Sequence, residues 1–351
     1  MKKVIALGSI QNESYRSNGA QRLHTKIIGA LIEKKELPKK YPMKDFKLLL
    51  EKSINDHSHL NDVLHIGHDK KGKDYLLSQL NTVMGWYETA FDEKGITSEE
   101  LKGILLNVTK DGFTLLQDAV TNGDLRQIEL VMGWYETAID KQVITSEELK
   151  GILLNVTEDK FTLLQGAVTN GDLRQIELVM GWYRAAGLSQ EGVFKEKILL
   201  NVTEDKFTLL QSAVKNGALE QIKLVMGWYE TAFNEQVITK EELKGILLNV
   251  TNDGFTLLQD AVTNGDLEQI KQVMGWYRAA GLSQEGVFKE KILLNVTTTK
   301  FTLLQSAVKN GDLRQIELVM GWYETAIDEK VITREDLKEI LLNEKKDKFT
   351  L

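Results

Sequence analysis

The residues best suited to metal chemistry lie in one short segment, DHSHLNDVLHIGHD, at residues 56–69. His65 and His68 are three residues apart, so a helix would place both imidazoles on one face, with Asp62 and Asp69 nearby. Imidazole and carboxylate groups are ligands for zinc or iron, but the segment contains no recognised zinc motif. We therefore expect ordinary cap or surface histidines and no bound metal. The candidate ligands, should a metal bind, are His57, His59, His65 and His68.

Other catalytic chemistry has little support in the composition. Cysteine is absent, which excludes disulfides, thiolate catalysis and cysteine-based zinc sites, and is typical of a reducing compartment such as the cytoplasm. Asp and Glu pairs recur along the chain, which indicates solvated faces rather than one acid–base site. The opening KKVIALGSIQNESYRSNGAQ faintly resembles the start of flavodoxin-like reductases, and no glycine-rich phosphate motif supports that alternative. We expect no cofactor and no catalytic residue, and we favour a protein that is not an enzyme.

Charge divides the chain into two regions. Residues 1–80 carry a net charge of +6, whereas the remaining residues carry −13. The basic run from Lys34 to Lys47 could meet anionic lipid or nucleic acid, but we attribute it to solvated helix ends and expect no nucleic-acid partner. No window approaches 18 consecutive apolar residues, so no membrane span is expected. We predict a basic, helical cap region with a degenerate first repeat at residues 1–80 and a repeat array at residues 81–351.

The array is a set of nearly identical copies. The stretch FTLLQDAVTNGDLRQIELVMGWY at residues 113–135 recurs in close copies, and the tetrapeptide MGWY occurs six times with spacings of 48, 48, 46, 48 and 46 residues. The first MGWY begins at Met84 and the last at Met320. Units that cannot bury their own apolar surface do so by stacking, so a repeat of this length predicts a solenoid.

The sequence predicts three helices in each unit. Thr114 is placed to cap a short first helix that ends at the sequence NGD. A second helix follows from Leu125 to about Ile139, and it is apolar on two sides, which predicts that it lies between two layers. Thr145 and Glu148 have the spacing of a capping box at the start of a third helix. The Trp and Tyr of MGWY fit this core, although a ligand-stacking ladder is an alternative.

The stretch DGFTLLQDAVTNGDLRQIELVM at residues 111–132 resembles an ankyrin repeat. Leu115 and Gln117 depart from the family pattern, where proline and histidine stand, and the period is about 15 residues longer than the family's. These departures predict that the hairpin between ankyrin repeats is lost or reshaped here. The resemblance implies an all-α solenoid of stacked ankyrin-like repeats, with a helical N-terminal cap region.

The resemblance also implies a protein-interaction surface. We predict a monomer that binds a protein partner of unknown identity. Long arrays of this kind are similar to those of host-directed effector proteins from intracellular bacteria, which implies secretion into a host cell by analogy. The contact candidates are the polar residues that recur outside the predicted core along one edge. They are Asp118, Thr121, Asn122, Arg126 and Glu129.

Two other interpretations remain open at this point. The array could support an enzymatic or metal-binding N-terminal region, or a domain beyond Leu351, because the chain stops within what would be the next first helix. We accordingly expect the array to be truncated at its C-terminus. Alternatively, the array could be a spacer that sets distance and curvature only.

Overall fold

The computed structural model describes residues 73–190, 192–283 and 285–342, and all regular elements within these ranges are helices. The chain forms two compact units that divide between Ile152 and Leu153. The all-α solenoid predicted from the sequence is confirmed, because neighbouring helices pack in series within the second unit. The predicted boundary near residue 80 stays a prediction, since residues 1–72 lie outside the described part of the chain.

The first unit contains most of the first two repeats. Its helices are α1 (Lys73–Asp92), α2 (Ser98–Leu105), α3 (Leu115–Asn122), α4 (Leu125–Asp140) and α5 (Ser146–Leu153), the last of which ends one residue past the division.

The second unit continues the same order of elements. Its helices are α6 (Leu163–Asn170), α7 (Leu173–Ala185), α8 (Gly192–Phe194), α9 (Leu209–Asn216), α10 (Leu219–Asn234), α11 (Lys240–Leu247), α12 (Leu257–Asn264), α13 (Leu267–Ala279), α14 (Gly286–Phe288), α15 (Leu303–Asn310), α16 (Leu313–Asp328) and α17 (Arg334–Leu341).

Local sequence explains where these helices begin and end. Thr114 caps α3 by accepting a hydrogen bond from the Gln117 amide, and the Gln117 side chain accepts one from the Thr114 amide at 3.0 Å. Gly123 ends the helix in the left-handed conformation, with φ at 73°, which glycine adopts without strain. Asp124 then caps α4. The predicted caps and the predicted start of each helix are confirmed.

The third helix of a repeat takes two forms. In the 48-residue repeats it is an eight-residue helix such as α11. In the 46-residue repeats a three-residue helix, α8 or α14, runs directly into a π-helical turn, at Lys195–Leu199 or Lys289–Leu293. Phe194 of α8 then fills the core by packing edge-on against Tyr183, with ring centroids 5.1 Å apart. The predicted third helix is therefore present in both repeat lengths, and in the shorter repeats it is one α-helical turn continued by a π-helical turn.

The core is built from the second helices, which are buried on two sides as predicted. In α10 the side chains of Val225, Met226, Trp228 and Tyr229 are all buried. The first helices stack on one another in the order α6, α9, α12 and α15, and α10 contacts α13. The MGWY aromatics are therefore core residues in the described repeats, with the exception of the half-buried Trp182.

A buried tyrosine ties each second helix to the preceding third helix. Its hydroxyl donates to the carbonyl of the last leucine of that helix, 30 residues earlier, so the bond recurs with the repeat. Because this carbonyl belongs to the last turn of a helix, it has no partner within its own helix. The pairs are Tyr135–Leu105, Tyr183–Leu153, Tyr229–Leu199, Tyr277–Leu247 and Tyr323–Leu293, with oxygen–oxygen distances of 2.7 to 3.0 Å.

A row of ion pairs joins the third helices of neighbouring repeats. In three of the four pairs the acidic residue also completes the next helix cap, whereas the Glu285 side chain makes no cap hydrogen bond. Lys102 beside Glu148 holds the pKa of that carboxyl below its usual range. Exposed pairs of this kind contribute little stability, so they act mainly on register. The pairs are Lys102–Glu148 at 2.6 Å, Lys195–Glu242 at 2.9 Å, Lys244–Glu285 at 2.6 Å and Lys289–Asp336 at 3.0 Å.

The tyrosine bond generates a stability prediction. Replacing Tyr277 with phenylalanine keeps the ring but leaves the buried Leu247 carbonyl without its 3.0 Å donor. We expect the free energy of unfolding in urea to fall by about 1–3 kcal/mol. Thr231→Val is the control. It also removes a hydroxyl that donates to a carbonyl, in this case the carbonyl of Gly227, but Thr231 is exposed, so water can replace the bond. An equal loss of unfolding free energy in the two variants would contradict the stabilising role given to the buried tyrosine bond.

The glycine of each MGWY gives a second prediction. A Cβ at Gly275 would meet no atom within 4 Å, so close helix approach does not explain this residue. Gly275→Ala should stabilise the protein by about 0.5–1 kcal/mol, because alanine loses less conformational freedom in a helix.

Gly254→Ala is the opposite control for the glycine prediction. Gly254 has φ at +81°, and its Cβ would lie 2.8 Å from the Thr297 Cα, so this variant should lose stability. Chemical denaturation of both variants and the wild type measures whether Gly275→Ala is more stable, and Gly254→Ala less stable, than the wild type. A destabilised Gly275→Ala would show that this glycine has a structural role that the open space does not reveal.

Candidate partner-binding groove

Short hairpins connect the third helix of one repeat to the first helix of the next. Four of them contain a single antiparallel bridge, such as Val202 with Thr208. The Phe207 amide donates to the Thr203 hydroxyl at 2.9 Å, and the Thr203 amide donates to the Phe207 carbonyl at 3.0 Å. A short hairpin is therefore present at these four connections, where the sequence predicted a hairpin that is lost or reshaped relative to the ankyrin pattern.

The hairpin tips of the second unit bond to one another through the backbone. The Glu204 amide donates to the Asp159 carbonyl at 2.9 Å, and the Asn252 amide donates to the Asp205 carbonyl at 3.0 Å. The Thr298 amide likewise donates to a carbonyl, that of Asp253, at 3.0 Å. Consecutive tips consequently form one continuous ridge whose backbone is held in place.

A groove lies between this ridge and the first helices α6 and α9. Its volume is about 540 Å³. The hairpin side carries Asp159, Glu204 and Asp205 together with two phenylalanine rings. The helix side carries Thr169 from α6, and Ser212, Lys215 and Asn216 from α9.

Charge in the groove is separated between its two sides. Within the described residues, the carboxylates of Asp159, Glu204 and Asp205 make no hydrogen bond or ion pair, so all three are available to a ligand. On the helix side, the Lys215 ammonium lies 4.3 Å from the centre of the Phe207 ring, a cation–π contact. The groove therefore offers hydrogen-bond acceptors on the ridge and a donor on the helix.

Most other recurring polar side chains join one repeat to the next. The side-chain amide of Asn201 donates to the Lys160 carbonyl at 2.7 Å and to the side-chain oxygen of Gln165 at 3.1 Å. The Gln165 side chain in turn donates to the Phe207 carbonyl at 3.3 Å. The asparagines of the NVT triplets at 201, 249 and 295 all make bonds of this kind, so they act within the stack.

The predicted contact residues differ in how far they are exposed in the structure. Asp118 is only 2 % exposed, so its prediction as a surface residue is wrong. Thr121, Arg126 and Glu129 are exposed as predicted, and Asn122 is half-buried. Arg126 donates through its guanidinium to Asp124, at 3.1 Å, and so supports the start of its own helix. The helical periodicity hid Asp118, because a buried aspartate looks like a surface residue in sequence.

The groove brings together the counterparts of these residues with residues that sequence reasoning missed. Ser212, Lys215 and Asn216 stand in α9 where Asp118, Thr121 and Asn122 stand in α3. Asn216 also donates to the carbonyls of Val168 and Thr169, so it belongs to the stack as much as to the groove. The missed residues are the acidic hairpin tips, whose only signal is the TEDK text at 157–160 and 203–206.

The histidine candidates His57, His59, His65 and His68 lie outside the described residues, so the metal hypothesis stays a prediction. Within residues 73–190, 192–283 and 285–342, no group of three or more His, Asp or Glu side chains could hold a metal ion. Over the same ranges, no helix is both long and apolar enough to cross a membrane.

A buried carboxyl occupies the position of Ser212 in the next repeat. Asp260 is 6 % exposed, and one of its oxygens has no hydrogen-bond partner among the described residues. Burial raises the pKa of the Asp260 carboxyl to about 7, and the Lys215 ammonium on the preceding first helix opposes that rise. Ionised Asp260 is therefore an unfavourable group in the stack.

Comparison with known proteins gives little further information. No family model matches the chain, and no curated protein matches it. The chain is similar to one in a solved structure of the Bd0816 predatory endopeptidase from Bdellovibrio bacteriovorus in complex with the immunity protein Bd3460. The two chains are 15% identical, with a TM-score of 0.42 over 76% of this chain and 99% of the other. A likeness at this level carries no argument about function.

Asp260 generates a pH prediction. Its carboxyl has an unfolded pKa of about 3.9 and a raised pKa when folded, so stability is lost as the pH rises through this range and stays low above it. A rise to about 7 corresponds to roughly 4 kcal/mol at most. Asp260→Ser installs the residue found at 212 and 306.

We expect the Asp260→Ser variant to unfold at higher urea concentration than the wild type above about pH 7, with a difference that shrinks toward about pH 4. Urea titrations across this range measure the difference. Asp253→Ser, which changes an exposed carboxyl, is the control and should show no such trend. A gain that is the same at every pH would refute the assignment to Asp260 ionisation.

Proposed function

We propose that this protein is a non-enzymatic binding solenoid that holds a protein partner along the ridge of hairpin tips and the adjoining first helices. The observation that carries the proposal is the groove between α6 and α9, where three carboxylates have no partner within the described residues. Polar side chains that join neighbouring repeats are hydrogen-bonded to them, whereas these three carboxylates make no such bond. Groups left free on a rigid frame are suited to a ligand.

The rigidity of the frame supports binding as well. The hairpin backbones are bonded tip to tip, and the first helices below them are stacked with buried leucines such as Leu210 and Leu258. A partner therefore meets side chains whose backbone is already ordered, which lowers the entropic cost of association. Interaction through such a surface needs no cofactor.

The proposed family is that of ankyrin-like repeats with a lengthened third element. Support comes from the capped first helix, the left-handed glycine that ends it and the short hairpin between repeats. The absence of cysteine supports a reducing compartment as the place of action. Secretion into a host cell, which the resemblance implies by analogy, stays a prediction, as does the monomeric state.

The test is a variant that fills the groove without disturbing the stack. Thr169 is exposed at the end of α6, and its backbone carbonyl, which accepts from Asn216 at 2.9 Å, is kept in Thr169→Trp. Gly245→Trp is the matched control, because Gly245 is exposed on the third helix α11 with open space around it. Each chain is used as bait in cell lysate, and bound proteins are quantified by mass spectrometry.

We expect a defined set of proteins to bind the wild type and Gly245→Trp and to be reduced at least about tenfold on Thr169→Trp, because an indole in the groove displaces the partner. Thermal unfolding of the three baits establishes that all are folded. Equal recovery on Thr169→Trp would show that the partner binds elsewhere. Recovery of no specific protein by any bait would count against a binding role and favour the spacer interpretation.

A further inference from the structure

The hairpin tips that flank the groove carry more carboxylates than the other tips, although a lysine, Lys160 or Lys206, follows each acidic pair. Two consecutive acidic residues occupy the tips at Glu158–Asp159 and Glu204–Asp205. The corresponding positions hold Lys110–Asp111, Asn252–Asp253 and Thr298–Thr299 in the other repeats. Among the described repeats, two adjacent tips are therefore both doubly acidic at this groove alone. Since the rest of the repeat is nearly invariant, this local charge is a property of the site and not of the array.

The backbone that carries the acidic side chains is held at a fixed spacing from one tip to the next. The Glu204 amide donates to the Asp159 carbonyl at 2.9 Å, which fixes one tip against the next. Within each tip the hydroxyl of Thr157 or Thr203 accepts from the phenylalanine amide four residues later, both at 2.9 Å. The carboxylates are consequently presented from an ordered backbone, which favours a directional contact over a diffuse one.

The floor of the groove adds an observation independent of the acidic tips. Ser212 is only 9 % exposed, yet its hydroxyl makes no hydrogen bond within the described residues, although it lines the groove. Because this hydroxyl keeps contact with solvent and has no partner in the stack, it can donate to a group that enters the groove. The Lys215 ammonium lies on the same side, held over the Phe207 ring.

We propose that this groove binds an extended segment of the protein partner that carries a lysine or arginine side chain. The cationic head lies on the ridge between Asp159, Glu204 and Asp205, and the aliphatic stem lies against the phenylalanine rings below. Carbonyl oxygens of the same segment accept hydrogen bonds from Ser212 and Lys215. This inference rests on the proposed binding function and names the partner's chemistry.

Charge decides between this occupant and an anionic one. A nucleic acid would bring phosphates against a lining of three carboxylates and a single ammonium, that of Lys215, which is repulsive although Lys160 and Lys206 follow the acidic residues on the ridge. An apolar helix would leave the same carboxylates desolvated and unpaired, at a cost that apolar contact in this groove does not repay. A basic segment satisfies the carboxylates and the floor donors together.

The test uses a random 12-residue peptide library displayed on phage and the full chain as target. The groove variant is the triple change Asp159→Asn, Glu204→Gln and Asp205→Asn, which removes three charges and keeps side-chain size. Its matched control is Glu177→Gln, Glu196→Gln and Glu230→Gln, three exposed residues of the same unit with the same change in net charge. Circular dichroism and thermal unfolding compare the folds of all three targets.

We expect peptides selected on the wild type to be enriched in lysine and arginine relative to the starting library. The best peptide, measured by fluorescence polarisation, should bind the groove variant at least about tenfold more weakly and the control variant within about twofold of the wild type. Replacing its basic residue with norleucine or citrulline should cause a similar loss, since each keeps the stem and removes the charge.

The outcomes distinguish this inference from the proposed function. Selected peptides that lack basic residues, yet fail to bind Thr169→Trp, would overturn the inference and leave a groove that binds proteins by other chemistry. Basic peptides that weaken equally on the control variant would show attraction to the overall negative charge and also overturn it. Peptides that bind all targets alike, Thr169→Trp included, would count against both.

Discussion

The structure depends on a second helix that is apolar on two sides and cannot be buried within a single repeat. In α10, Trp228 and Ala232 face one layer while Val225, Met226 and Tyr229 face the other, and all are buried. The hydrophobic effect therefore makes neighbouring repeats necessary to one another. The tyrosine hydroxyl adds direction to this non-directional force, because its bond to the preceding third helix is made only in one register.

That arrangement determines what becomes of the polar side chains. Residues near the junction between repeats, such as Gln165 and Asn201, satisfy backbone carbonyls that stacking removes from water. Some tip side chains do the same, since Asn252 donates to the Glu204 carbonyl at 2.9 Å, whereas the carboxylates of Asp159, Glu204 and Asp205 make no such bond. A residue can therefore recur in every repeat because the junction needs it or because the whole unit was copied. Only its contacts in the structure show which of the two explanations applies.

Much of the fold could be predicted from sequence because its determinants are local. Caps such as Thr114 with Gln117, and helix ends such as Gly123, are set by residues within one turn. The burial of Asp118 and the π-helical turn at Lys195–Leu199 could not be predicted, because both depend on the neighbouring repeat. The groove was missed for a related reason: it combines residues of two successive repeats, so that Asp159 and Lys215 are 56 residues apart in sequence.

Near-identity of the repeats does not make their surfaces equivalent. The first-helix position held by Asp118 carries glycine in α6, serine in α9 and α15, and Asp260 in α12. The tip residues vary at the same time, whereas the buried leucines and tyrosines do not. The first helices and hairpin tips therefore vary at positions that border the groove side of the stack, while their buried leucines stay the same. A scaffold copied almost letter for letter can hold a distinct site, since a few substitutions on a rigid ridge change the local charge without changing the packing beneath it.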